Sequence, residues 1–310
     1  MEKREIGSTG MRVTPLSFGA SSLGGVFHSL KEAEGIDAVL TALELGINFI
    51  DVSPYYGHLK AEKVLGKALS RADRGSYYLS TKVGRYGNEG VNEWDYSARR
   101  AEESVYQSME RLHVDHIDLI NVHDIEFADL DLVCNETLPK LVEMREKGLV
   151  GHVGITNLTL RHFVYVIDHV PPGTVEAVLS FCHYVLNDDA LGDYLDYFAQ
   201  HGTGVINASP FSMGLLTERG APAWHPAPEP LKILCRKAAD YCREKGESIE
   251  KLAIQFAVSN QKIATTLFST TRSSSVVQNM RWMAEPLNEE LLADVRKILE
   301  PRFRDTWLNS

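Results

Sequence analysis

The stretch INFIDVSPYYG, residues 47–57, joins a short apolar run to a carboxylate and then to two tyrosines. The apolar residues before Asp51 indicate a buried strand that ends at the carboxylate. A carboxylate at the end of a buried strand costs free energy of desolvation unless a partner compensates its charge. The stretch therefore predicts a cation close to Asp51. It also suggests that the phenol of Tyr56, five residues further on, is held near this pair for a function.

Short apolar runs of this kind recur along the chain, and longer helical patterns separate them. The eight predicted strands are 16–19, 47–52, 77–82, 117–122, 152–156, 176–181, 204–208 and 264–268. Several are apolar on both faces, which is typical of parallel strands that are covered on both sides. The stretches 33–46, 97–113 and 191–202 have apolar residues three or four positions apart, as amphipathic helices do.

This alternation of strands and helices predicts parallel βαβ units and favours a single closed (β/α)8 TIM barrel. The alternative is an open doubly wound sheet, whose G-x-G-x-x-G fingerprint fits neither GASSLGG after the first strand nor GTGVIN at residue 202. Residues 3–15 are predicted to form a hairpin that closes the barrel bottom, and residues 288–300 an additional C-terminal helix. Since no long linker divides the chain, residues 1–310 are expected to form one domain.

Two further patterns concern the connections. Gly46, Gly148 and Gly202 each follow a helical pattern, where a left-handed cap favours glycine. The proline-rich segment 218–230 follows the seventh predicted strand, where a barrel of this type carries a functional loop.

The composition is that of a globular protein, since 44% of the 310 residues are hydrophobic and 24% are charged. The net charge of −10 and the lack of a Lys- or Arg-rich run argue against nucleic acid or an anionic membrane as a partner. The sequence has no run of 18 apolar residues, so no transmembrane helix is expected. The four cysteines lack Cys-x-x-Cys spacing and the first residues lack the apolar core of a secretory signal, so a cytoplasmic protein with reduced thiols is expected.

Polar side chains stand at the ends of four consecutive predicted strands. They are Asp51 with Tyr56 in the following loop, Lys82, His123, and Thr156 with Asn157. Because the carboxyl ends of barrel strands meet at one rim, where barrel enzymes hold their active sites, we expect these side chains to converge.

The chemistry of these groups suggests a role for each. Lys82 can pair with Asp51, which removes the cost of each buried charge. A lysine cation near a phenol lowers the phenol's pKa from its ordinary value of about 10, so Tyr56 could exchange a proton with a carbonyl or an alcohol near neutral pH. His123 could donate a hydrogen bond to the same oxygen or relay its proton. Such a site interconverts carbonyls and alcohols and needs a hydride carrier.

Structural interpretations compete with this one. An Asp–Lys pair at a strand end is often only structural, and a single histidine is no stronger signal. The order of Asp51, Tyr56, Lys82 and His123 on successive strands is what favours a catalytic site. No metal site is predicted, because the sequence has no H-E-x-x-H motif and no clustered Cys/His set. A serine hydrolase is not predicted either, because the sequence lacks the G-x-S-x-G elbow that carries the nucleophile.

The chain resembles the aldo-keto reductase family along nearly its whole length. The blocks IGSTGMRVTPLSFGASSLGG, INFIDVSPYYG, STK, IDLINVHD and GLVGHVGITN match those of the family in order. The resemblance implies a nicotinamide-dependent oxidoreductase with Asp51, Tyr56, Lys82 and His123 as its catalytic tetrad. It also implies that Asn157, with Thr156 in place of the usual serine, holds the nicotinamide carboxamide, and that the protein is a monomer.

Two departures narrow this resemblance. Phe181 in SFCHY stands where many members have glutamine, and Ala208 in VINASPFSMGLL stands where many have the tyrosine that stacks on nicotinamide. Phe181 is therefore a candidate for that aromatic platform. These blocks resemble the sugar-oxidising members, which implies oxidation of L-galactose at C1 to the 1,4-lactone, as in ascorbate biosynthesis.

Sugar hydroxyls need several donors and acceptors, and the sequence offers only weak candidates for them. They are His28, Asp124, Asn207 and Trp224. A surface role is at least as good an interpretation for His28 and Trp224.

The remaining cofactor-binding candidates lie in two later segments. They are Ser209, Phe211, Ser212, Gly214 and Leu215 after the seventh strand, and Ser269, Thr271, Arg272, Ser275 and Asn279 after the eighth. In relatives that prefer NADP, two basic residues hold the 2′-phosphate, and those places fall here on the uncharged Ser269 and Ser275. NAD is therefore the expected cofactor, although Arg272 lies between the two places and could turn toward a phosphate, face solvent or stack on adenine.

Other functions remain open at the level of sequence. The chain could reduce aldehydes or pyridoxal, or oxidise a different aldose. It could also be a regulatory subunit that binds nicotinamide and another protein.

Overall fold

Eight parallel strands close into a barrel in the computed structural model, which describes residues 2–25, 31–87, 93–305 and 307. The strands in chain order are β1 (Arg4–Glu5), β2 (Arg12–Val13), β3 (Leu16–Gly19), β4 (Phe49–Asp51), β5 (Tyr78–Val83), β6 (Ile117–Val122), β7 (Val150–Asn157), β8 (Ala177–Phe181), β9 (Gly204–Ala208) and β10 (Thr265–Phe268). β3 to β10 form the barrel, and β10 pairs with β3 to close it. The predicted barrel, with its eight strands, is confirmed, and the open sheet is excluded.

Helices cover the outside of the barrel. In chain order they are α1 (Glu32–Glu44), α2 (Lys60–Leu69), α3 (Ala98–Leu112), the short α4 (Leu130–Leu132), α5 (Leu138–Glu146), α6 (Leu160–His169), α7 (Leu195–Gln200), α8 (Glu229–Glu244), α9 (Ile249–Ser259), α10 (Ser273–Ala284) and α11 (Glu289–Leu299). The predicted helix 191–202 is divided, since a 3-10 turn over Ala190–Tyr194 precedes α7. No helix in the described part of the chain is long and apolar enough to cross a membrane.

The hairpin of β1 and β2 closes the bottom of the barrel, as predicted. The two strands pair antiparallel, and Ile6, Met11 and Val13 join the apolar cluster inside the barrel. Gly7 has a φ of +52°, and a Cβ there would lie 2.3 Å from the backbone nitrogen of Gly204. The hairpin turn can therefore approach β9 this closely only with glycine.

The additional C-terminal helix is also present. α11 packs on α8 through Leu292 and Val295, which share an apolar cluster with Leu231 and Cys235. Arg304, beyond α11, forms ion pairs with Asp189 and Asp193. The C-terminal segment is thus held against the connection that follows β8.

Alternation along each strand decides which side chains reach the barrel interior. On β4, Phe49 belongs to the interior cluster, whereas Ile50 packs into the layer between strands and helices. Asp51 has the same parity as Phe49 and therefore faces inward. The same period directs Lys82 of β5 to the interior, where it meets Asp51.

Candidate active site

A cleft opens at the carboxyl ends of the strands, on the rim where the sequence predicted the site. Its cavity volume is about 540 Å³, which lies within the roughly 300–1,000 Å³ range of small-molecule sites. Asp51, Tyr56, Lys82 and His123 all line it. Four residues from three strand ends and one loop therefore share one cavity.

The Asp51–Lys82 pair lies at the base of the cleft. Lys82 Nζ donates to Asp51 Oδ1 and to the Val52 carbonyl oxygen at 2.8 Å, and Ser80 Oγ donates to Asp51 Oδ2 at 2.8 Å. Only 1% of the Lys82 side chain and 4% of the Asp51 side chain is exposed. Burial by itself would lower the pKa of Lys82, but Asp51 and Tyr56 outweigh burial and raise that pKa above its ordinary value. Lys82 is therefore a cation held beside the phenol.

The pKa of Tyr56 departs from the sequence-based expectation. Lys82 Nζ lies 5.0 Å from the centroid of the Tyr56 ring and lowers the pKa, as expected. Burial nevertheless acts more strongly in the other direction and raises the pKa of Tyr56 to about 12. The expectation of a net lowering is wrong, because desolvation of the phenolate exceeds the attraction of the lysine.

His123 is a neutral imidazole in this site. Its ring meets the Tyr56 ring edge-on, with the centroids 5.8 Å apart. Burial, together with the cations Lys82 and Arg85, lowers the pKa of His123 well below its ordinary value. His123 Nδ1 lies 2.9 Å from Ser53 Oγ, an interaction that the sequence analysis did not identify.

Arg85 is a cleft residue that the sequence analysis missed. It forms a buried ion pair with Asp124, and its guanidinium carbon lies 4.0, 4.8 and 4.6 Å from the ring centroids of Tyr55, Trp94 and Phe127. Asp124 Oδ1 also accepts a hydrogen bond from Thr156 Oγ1 at 3.1 Å. One wall of the cleft therefore carries two opposite charges that are already compensated.

Nine of the thirteen predicted cofactor-binding residues line the same cleft: Thr156, Phe181, Ser209, Phe211, Gly214, Ser269, Thr271, Arg272 and Ser275. The other four, Asn157, Ser212, Leu215 and Asn279, are buried outside the cleft lining. Asn157 Oδ1 accepts from the Glu126 backbone N–H at 2.9 Å, and its amide donates to the Thr159 carbonyl at 2.7 Å. The Asn157 amide thus braces the loop after β6.

The far end of the cleft is suited to a dinucleotide. α10 begins there without a side-chain cap, and the cleft includes Thr271, Arg272 and Ser275. Uncapped N–H groups at a helix start and a guanidinium attract phosphate oxygens. Ser269 Oγ accepts from the Ser22 backbone N–H at 2.9 Å and donates to Ser22 Oγ at 2.8 Å. Ser269 therefore also ties the loop after β3 to the cofactor end of the cleft.

The candidates for sugar binding have different positions. Asp124 and Trp224 line the cleft, and Trp224 is 51% exposed. Asn207 is fully buried and donates to the Tyr184 carbonyl and to Thr266 Oγ1, so its side chain faces the helical layer. Asn207 therefore does not line the cleft in this structure, in agreement with the alternation that turns its neighbour Ala208 inward. His28 lies outside the described residues.

The loop after β9 contributes as predicted for a barrel of this type. Arg219, Pro222 and Trp224 of the proline-rich segment all line the cleft. Phe181 and Ala208 lie side by side on β8 and β9.

Across the described ranges, no group of three or more His, Cys, Asp or Glu side chains could hold a metal ion.

Comparisons with known proteins identify a matching family, similar sequences and a similar fold. Residues 15–300 match the model of the aldo/keto reductase family. The chain is 44% identical to L-galactose dehydrogenase from Arabidopsis thaliana, over 99% of this chain and 97% of that protein. It is 32% identical to D-arabinose 1-dehydrogenase from Saccharomyces cerevisiae, over 80% of this chain and 76% of that protein. An aldo-keto reductase from Bacillus halodurans, solved in its holo form, superposes with a TM-score of 0.81 at 24% identity, over 100% of this chain and 99% of that one.

Proposed function

Because the chain belongs to the aldo/keto reductase family, we propose that it is an NAD-dependent dehydrogenase that oxidises an aldose at C1, with L-galactose as its substrate and the 1,4-lactone as its product. Members of this family are oxidoreductases that use a nicotinamide cofactor. The observation that carries the sugar assignment is the 44% identity to a plant L-galactose dehydrogenase over 99% of the chain. The proposed reaction would belong to ascorbate biosynthesis.

The tetrad supports this chemistry. A cyclic aldose carries a hydroxyl at C1, and its oxidation to a lactone removes one proton from that oxygen and one hydride from C1. Tyr56 accepts the proton, Lys82 stabilises the phenolate, and Asp51 holds Lys82 in place. His123 hydrogen-bonds the same oxygen. The nicotinamide cofactor supplies the hydride acceptor when it is bound.

The Arg85–Asp124 pair supports a neutral substrate. A guanidinium alone would attract a carboxylate or a phosphate, but Arg85 is paired with Asp124 and enclosed by three aromatic rings. Tyr55, Trp94 and Phe127 fix its position without adding charge. The wall therefore offers polar groups to sugar hydroxyls and no free charge to an acidic sugar.

We expect NAD to be preferred over NADP by at least roughly a hundredfold in kcat/KM, because the missing basic side chains would each supply a charge-assisted bond of about 1.5–3 kcal/mol. Ser269 and Ser275 line the cofactor end of the cleft and carry no charge. The measurement is the ratio of kcat/KM for the two cofactors in wild type and in Ser269→Lys/Ser275→Arg. The double variant should move toward NADP.

Two single variants separate the possible causes of a change in the NAD-to-NADP ratio of kcat/KM. Ser275→Arg leaves the Ser269–Ser22 hydrogen bonds in place, so it separates the new charge from the disturbed loop. Arg272→Ala tests whether Arg272 supports any use of NADP. Equal use of both cofactors by wild type would contradict the interpretation of the two serines.

Steady-state turnover with a panel of free aldoses, pyridoxal and simple aldehydes tests the proposed function. We expect the highest kcat/KM for L-galactose with NAD, and formation of the lactone. Turnover of pyridoxal or aldehydes alone would move the assignment to another reaction of the family. Tight nucleotide binding without turnover of any substrate would instead favour a regulatory subunit.

A further inference from the structure

We propose that Ser53 fixes the tautomer of His123, so that Nδ1 accepts from the Ser53 hydroxyl and the imidazole presents its Nε2–H donor to the cleft. Ser53 would then be a positioning residue, acting through His123. The tautomer follows from the hydrogen bonds alone, whereas its catalytic consequence rests on the proposed function.

The hydrogen-bond accounting at Ser53 Oγ allows one arrangement. Ser53 is fully buried, and its Oγ accepts from the Tyr55 backbone N–H at 3.1 Å. The other partner of this oxygen, at 2.9 Å, is His123 Nδ1. Within the described ranges, no further acceptor is available for the hydroxyl proton. The Ser53 O–H therefore donates to Nδ1, because the reverse arrangement would leave a buried donor without a partner.

The ring proton of a neutral His123 then resides on Nε2. Nε2 lies 3.5 Å from Asp124 Oδ2, too far for a strong hydrogen bond, and that carboxylate is already paired with Arg85. Nε2–H thus remains available to an oxygen in the cleft. Burial, together with the nearby cations Lys82 and Arg85, lowers the pKa of His123 and so opposes a second proton on the ring.

This arrangement distinguishes two roles that the sequence leaves open for His123. An imidazole that already carries its proton on Nε2 donates a hydrogen bond to the substrate oxygen and does not accept a proton there. Tyr56, at 5.8 Å between ring centroids, is the remaining base beside that oxygen. Ser53 stands between Asp51 and Tyr56 in the chain, so one short turn carries the base and fixes the donor.

Long-range 1H–15N NMR of the histidine rings tests the tautomer directly. In wild type we expect pyrrole-type nitrogen at Nε2 and pyridine-type nitrogen at Nδ1 of His123, with the signals assigned by their loss in His123→Gln. In Ser53→Ala the tautomer should become mixed or shift to Nδ1–H. Ser17→Ala is the matched control, since Ser17 is equally buried but bonds to Thr14 and Thr265 instead of a histidine. It should leave the His123 signals unchanged.

Kinetics give the second readout. Ser53→Ala should lower kcat for the sugar roughly three- to tenfold, the value of one hydrogen bond, with a smaller change in KM. Ser53→Thr, which restores the hydroxyl, should recover the wild-type tautomer and most of the kcat. Wild-type His123 protonated at Nδ1, or Ser53→Ala signals identical to wild type, would overturn the proposal. The NMR result holds whichever substrate the enzyme uses, so failure of the sugar assignment is recognised separately by the substrate panel.

Discussion

Replacing Tyr56 by phenylalanine should lower turnover by roughly 10²- to 10⁴-fold, the usual contribution of a positioned acid–base group. The change removes the hydroxyl that takes the substrate proton and keeps the ring beside His123 and Lys82. The dissociation constant of the nucleotide should change little, because the cofactor end of the cleft at Ser269 and Arg272 is untouched. Steady-state kinetics and nucleotide titration measure the two effects.

Tyr55→Phe is the control for this prediction. It removes the neighbouring phenol in the same turn and keeps the ring that packs on Arg85. Its turnover should stay within roughly tenfold of wild type, since no proton transfer is assigned to it. If Tyr56→Phe turned over substrate within a few-fold of wild type, the assignment of Tyr56 as the base would be wrong.

Replacing Lys82 by methionine should reduce both turnover and stability. The change leaves the Asp51 carboxylate buried without its cation, and breaking a buried pair in this way costs about 3–5 kcal/mol. It also removes the positive charge that lowers the pKa of Tyr56, so that pKa rises further above its value of about 12. Oxidation needs the phenolate, so the rising limb of the pH–rate profile should move to higher pH.

The double variant Lys82→Met/Asp51→Asn separates the two effects. It removes both charges, so most of the lost stability should return, whereas turnover should not. Chemical unfolding measures the free energy of unfolding of each variant. The dependence of kcat on pH gives the position of the rising limb of the pH–rate profile. A pH profile of Lys82→Met that overlays wild type would show that Lys82 is structural only. Asp51→Asn alone should shift the profile less, because Asp51 holds Lys82 in place but its own negative charge raises the Tyr56 pKa, so the two consequences of its removal partly cancel.

Local residue patterns were sufficient to predict the barrel. The run before Asp51 became β4, and the glycines after three helical patterns, Gly46, Gly148 and Gly202, all adopt positive φ. The rim that gathers Asp51, Lys82 and His123 was also predictable, because parallel strands in a closed barrel place all their carboxyl ends on one side. These features depend on residues that are close in sequence and on the two-residue alternation of side chains along a strand. Both can be recognised in a single sequence.

The interactions between the assembled groups were not predictable in this way. The Ser53–His123 and Arg85–Asp124 contacts join residues 70 and 39 positions apart, and no local pattern marks them. The sign of the Tyr56 pKa shift depends on burial opposing Lys82, and the depth of burial is a property of the closed barrel.

The sequence by itself therefore determined the strands, their order and the rim on which four ionisable groups meet, because hydrophobic period and parallel topology follow from local residue choice. Only the tertiary structure decided which groups the Asn207 and Asn157 side chains hydrogen-bond, that Arg85 is paired in the cleft wall, and that Tyr56 is desolvated. Hydrogen bonds and desolvation depend on distances of a few ångströms between side chains from different strands, and those distances exist only once the barrel has closed.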